Sequence, residues 1–124
     1  FCSGDPILDK LLEECRAKFS DCNPLVRREA LERLWDVWER LKSLANPRDK
    51  KQSIKITLDT TAAEPSLRSR LETEAVELTA IGNSHLIRHS EVNQVAVIDV
   101  DHVDYLFHRL FAMIQLMLRK KGNA

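Results

Sequence analysis

The chain has 124 residues, enough for one hydrophobic core and too few for two independent ones. Its apolar fraction of 44% and charged fraction of 31% are those of an ordinary globular protein, which excludes a disordered or low-complexity chain. Lysine and arginine number 19, as do aspartate and glutamate, so the net charge is zero. The basic excess of a general nucleic-acid binder is missing, and any contact with a polyanion must be local.

Asp5-Pro6 reads as an N-cap followed by proline at the first helical position. Ile7, Leu8, Leu11, Leu12, Cys15 and Phe19 then recur at helical spacing, which predicts a first helix from Pro6 to Phe19. Asn23-Pro24 repeats the start signal. Ala30, Leu31, Leu34, Trp35, Val37, Trp38, Leu41 and Leu44 form a broad apolar face, the clearest amphipathic pattern in the chain. Asn46-Pro47 ends that helix. Trp35 and Trp38 fall on its apolar face and are expected to pack in the core.

Between Pro47 and Glu64 two periods compete. Ile54, Ile56 and Leu58 alternate with polar residues, as in a strand, while Ile54, Leu58 and Ala62 are spaced by four, as in a helix. No hairpin turn follows, so a helix is expected. Pro65-Ser66 opens the next one, with Leu67, Leu71, Ala75, Leu78 and Ile81 as its inner stripe and Gly82 as its C-terminal cap. Val95–Val100 is apolar and β-branched, a short strand or an extended connector. A two-stranded pairing with Ile54–Leu58 is the alternative to a wholly helical fold. Asp99 or Asp101 caps a last helix that is apolar around most of its circumference from Val103 to Leu118. Such a helix is either central in the core or part of a dimer interface. The expected architecture is therefore all-α, a bundle of four to five helices, with a short two-stranded β element as the variant.

Cys2, Cys15 and Cys22 are odd in number and lack CxxC spacing, so a disulfide framework is not expected. Cys15 reads as a buried reduced thiol, and a cytoplasmic setting follows. No apolar run reaches membrane-spanning length. The start Phe1-Cys2-Ser3-Gly4 carries neither methionine nor the regions of a signal peptide. The expectation is one helical domain over residues 1–124, cut from a longer parent with further domains.

Chemistry concentrates in Asn83–Glu91. Of the four histidines in the chain, His85 and His89 lie in this stretch and His102 follows it. In a helix His85 and His89 would share a face, and Asn83, Arg88 and Glu91 would converge with His102 or His108. One reading is metal-free phosphodiester cleavage: histidine moves protons near neutrality, and the arginine fork holds phosphate. A second is a metal site on His85, His89 and Glu91, although Leu86 stands where a metalloprotease helix needs glutamate. A third is structural: Arg88 pairs with a carboxylate, Asn83 caps a helix and the histidines satisfy backbone groups. Arg27-Arg28, Arg48-Lys50-Lys51 and Arg68-Arg70 read as solvated faces. No phosphate-cradling glycine motif or nucleophile elbow occurs, and no cofactor is implied.

The runs Leu78-Thr79-Ala80-Ile81-Gly82-Asn83, Ile87-Arg88-His89-Ser90-Glu91 and Asp104-Tyr105-Leu106-Phe107-His108-Arg109 resemble the C-terminal helical domain of bacterial proteins of the HEPN and abortive-infection class. The likeness covers Leu67–Leu118. It implies a helical bundle, often dimeric, acting in phage defence or as a toxin. Some members of the class are metal-independent ribonucleases and others inactive binding modules. Their active site is an arginine followed several residues later by histidine. Here Arg88 meets His89 at once, and the later position falls on Asn93, Gln94 and Val95. Only Arg88 and His89 carry over. The resulting expectation is a domain that binds or cleaves RNA, with Arg88, His89 and His85 as catalytic candidates and Asn83, Glu91 and His102 as binding ones. The alternative is a non-catalytic module that dimerises through the last helix.

Overall fold

A computed structural model of the protein describes residues 3–85 and 95–122. Five helices follow one another: α1 (Pro6–Phe19), α2 (Pro24–Ser43), α3 (Lys50–Thr61), α4 (Pro65–Ser84) and α5 (Val100–Gly122). Among the described residues there is no strand, and none of these helices is long and apolar enough to cross a membrane.

Each start has a local cause. The carboxylate of Asp5 accepts from the Ile7 amide at 3.3 Å, the Asn23 side chain from Leu25 at 3.0 Å and Asp49 from Gln52 at 3.1 Å. Glu64 accepts from Ser66 and Leu67, and Asp99 from Asp101 and His102. These acceptors satisfy amides that a first turn leaves unpaired. Of the two expected caps of α5, Asp99 is the one used.

The segment with competing periods is helical. Alternation would have put Ile54, Ile56 and Leu58 on one face; instead Ser53, Leu58 and Thr61 are buried and Ile56 is exposed. The hydroxyls of Thr57, Thr60 and Thr61 donate to carbonyls one turn back, so the polar groups of α3 are satisfied within it. Buried Ser53 accepts from the Ala45 amide, which fastens the α2–α3 connection. Residues 95–99 form an extended connector, so no β pairing with Ile54–Leu58 arises among the described residues.

One core joins all five helices. Leu8, Leu12 and Cys15 of α1 meet α2, whose Leu31, Leu34, Trp35 and Trp38 are fully buried. Val103, Leu106, Phe107, Leu110, Met113, Ile114 and Met117 of α5 are also buried, so one face of that helix lies in the core, while Tyr105 is exposed. Burial pushes the Cys15 thiol up to about 12, which keeps it protonated and inert.

Helix α4 docks through Leu71, Ala75, Leu78 and Ile81 of its expected stripe, and two indole hydrogen bonds fix its seat. Trp35 Nε1 donates to the Leu78 carbonyl at 3.1 Å, and Trp38 Nε1 to Thr79 Oγ1 at 3.1 Å. Gly82 is buried inside α4 and is not its cap; His85 caps the helix. A methyl group at Gly82 would fall 2.9 Å from Trp35 Cε2 and nearer still to Nε1 and Cδ1. Leu67, expected in the inner stripe, is exposed.

Lys42 is buried, with Nζ donating to Thr79 Oγ1 at 2.8 Å and pairing with Glu39 at 3.0 Å. Lys50 reaches the same Glu39 oxygen at 2.5 Å. Burial pushes the Glu39 carboxyl up, but hydrogen bonds from Lys50 and Lys42 outweigh it and hold it below its ordinary 4.5. A carboxyl depressed in the fold contributes stability that is complete above the unfolded value and is lost as pH falls through the folded one. Glu39→Gln should therefore flatten the loss of stability between about pH 5 and pH 3. Urea midpoints of variant and wild type across that range test this; parallel profiles would refute it.

Candidate functional site

At one end of the bundle the chain leaves α4, traverses residues 86–94 and returns beside its point of departure. The Val95 amide donates to the Ser84 carbonyl at 2.9 Å, and His85 Nδ1 lies 3.1 Å from the Val95 carbonyl. A carbonyl can only accept, so this bond places the ring hydrogen on Nδ1. In the neutral ring Nε2 is then the basic nitrogen. His85 is half-buried, and α4 stops at Ser84, one residue short of it.

His85 and His102 line one shallow pocket of about 270 Å³, together with Ile81, Val97, Tyr105 and Leu106. Two of the expected site residues thus come together although they lie on different elements. Asn83 is exposed in the last turn of α4. Arg88, His89 and Glu91 lie outside the described residues. His108 sits elsewhere, edge-on to Phe19 at 5.2 Å between ring centroids. Among the described residues no group of three or more His, Cys, Asp or Glu side chains is placed to hold a metal ion.

The end of the bundle also contains a polar network built on the Arg27-Arg28 pair. Arg27 pairs with Asp104 of α5, and Arg28 donates to the Val97 carbonyl. Arg27 also lies over the Phe19 ring at 5.2 Å, and Phe19 stacks on Phe107 at 3.8 Å. The basic pair Arg27-Arg28 is therefore a set of ties from α2 to α5 and to the connector, not a solvated face. Arg68 is likewise engaged, with Asp59 at 2.6 Å and Glu72 at 3.4 Å. Asp104 lies 77 residues from Arg27, so nothing in the local pattern pointed to it.

Tyr105 is 60% exposed, Val95 64% and Ile98 88%, so apolar and aromatic surface accompanies the pocket. An aromatic face beside two imidazoles can stack a base or seat a partner side chain. No protein-family model, curated protein or solved structure matches this chain.

Proposed function

We propose that this is a HEPN-like helical domain of a phage-defence or toxin-type protein that binds RNA and cleaves it without a metal. The observation that supports the reading most is the His85–His102 pocket, with His85 held by the Val95 carbonyl in the tautomer that makes Nε2 basic. In this reading His85 Nε2 takes the proton of the attacking 2′-hydroxyl. Tyr105 stacks a base, and His102 contacts the nucleotide. Arg88 and His89 belong to the stretch whose ends meet at Ser84 and Val95; Arg88 holds the phosphate, His89 supplies the proton for the leaving oxygen, and Asn83 and Glu91 orient them. The balanced overall charge suits a local rather than a general polyanion contact.

The test is cleavage of a fluorescent single-stranded RNA in the presence of chelator. Wild type should cleave, and His85→Ala and His89→Ala should each reduce the rate roughly 100-fold or more, with helical circular dichroism unchanged. Equal cleavage by wild type and both variants would sink the assignment, as would neither cleavage nor binding of RNA by wild type.

The exposed Val95, Ile98 and Tyr105 favour a second reading, a non-catalytic module that dimerises or docks a partner through the start of α5. Sedimentation of a dimer that Ile98→Asp and Tyr105→Asp convert to monomer, without RNA cleavage by wild type, would select it.

A further inference from the structure

Away from the histidine pocket, α2, α3 and α4 border an open groove of about 450 Å³. That volume falls in the range of about 300–1,000 Å³ typical of small-molecule sites. Ile54, Ala75 and Val76 supply its apolar surface, and Val76 is 67% exposed, an aliphatic side chain left in water. Three lysines line it: Lys42 is buried, Lys50 half-exposed and Lys51 exposed.

The charges do not cancel. Glu39, which does not line the groove, is shared by Lys42 and Lys50, and Glu72, the carboxylate in the lining, is also drawn to Arg68. Lys51 has no ion pair among the described residues. The groove thus combines an apolar wall, which cannot satisfy a polar body, with an excess of positive charge whose exposed end is the flexible Lys51 ammonium. None of its lining residues belongs to the histidine pocket.

We infer that this groove binds a small amphipathic carboxylate. Its hydrocarbon part lies on Ile54, Ala75 and Val76, and its carboxylate is held by Lys51 with Lys50. A neutral or cationic amphiphile would leave the ammonium surplus uncompensated, and a short polar anion would leave the apolar wall wet. The site is independent of the proposed RNA chemistry.

Calorimetric titration with decanoate, kept below its micellar concentration, tests the inference. Wild type should bind one equivalent saturably, while butyrate and decyltrimethylammonium should not bind. Lys51→Glu and Val76→Asp should each weaken decanoate roughly tenfold or more. Both positions are exposed, so the fold should survive, as circular dichroism would show. Lys10→Glu, on the surface of α1, should leave the affinity unchanged. The inference is overturned if wild type shows no saturable binding or binds the cation equally well. It is also overturned if either groove variant keeps wild-type affinity, or if Lys10→Glu weakens binding as much as they do.

Discussion

Gly82→Ala should destabilise the protein by about 2–4 kcal/mol, although alanine is the better helix former by about 1 kcal/mol. The sign reverses because of one contact. A methyl at this position overlaps the Trp35 indole, and Trp35 cannot yield easily. It is fully buried, and its Nε1 is committed to the Leu78 carbonyl at 3.1 Å, one turn before Gly82 on the same helix. Either α4 lifts from α2, exposing Leu78 and Ala75, or the indole shifts and leaves a buried N–H unpaired, which costs about 1–3 kcal/mol. The melting temperature should fall by roughly 10 °C in calorimetry. Trp35→Phe removes the pyrrole side of the ring, where the overlap lies. In the Gly82→Ala background it should therefore cost less than it does alone, a coupling that a double-mutant cycle measures. An unchanged or raised melting temperature for Gly82→Ala would show that α4 does not rest on Trp35.

Asp104→Ala should cost about 2 kcal/mol, between the values of surface and buried ion pairs. Arg27 and Asp104 are each about a quarter exposed, at 26% and 25%, and they join α2 to α5. Arg27 Nε and Asp104 Oδ1 are buried without a hydrogen-bond partner among the described residues, so the pair is only partly satisfied. Removing the carboxylate leaves the guanidinium over Phe19 with its charge uncompensated. Removing both charges in Arg27→Met with Asp104→Leu should recover most of the loss, because apolar replacements of a part-buried pair restore packing without desolvation cost. Urea unfolding gives both numbers. If Asp104→Ala is neutral, or its effect vanishes in 1 M salt, the pair is a screened surface contact.

Neither of these contacts is legible in the local pattern of the chain, whereas some of the helix limits are. The limits of α1 follow from Asp5-Pro6 and the spacing of Leu8, Leu12 and Cys15, all local, and the helix runs over the expected Pro6–Phe19. The helical state of α3 depends on which residues meet the core: Leu58 and Ser53 do, Ile56 does not. Gly82 misled for a physical reason. A lone glycine after a periodic stretch normally ends a helix, yet here it permits a close approach by a tryptophan far earlier in the chain. Arg27 and Arg28 misled similarly, because their partners Asp104 and Val97 are remote in sequence.

Of the candidate site, the sequence marked the residue types and their crowding between Asn83 and His102. It could not show that His85 would cap α4, or that His102 on α5 would share its pocket.

What the sequence determined by itself is what short-range physics controls: the starts of α1, α2 and α4, the broad apolar face of α2, a predominantly helical chain and the absence of a membrane-length apolar run. What only the tertiary structure decided is every pairing across the bundle. These include the seat of α4 on two indoles, the arginine ties to α5, the joining of His85 to His102 and the lysine-lined groove. Caps and periodicity act over a few residues and leave a mark in the local pattern. A contact between distant residues depends on how whole helices cross, and that is set by the packing of the entire core.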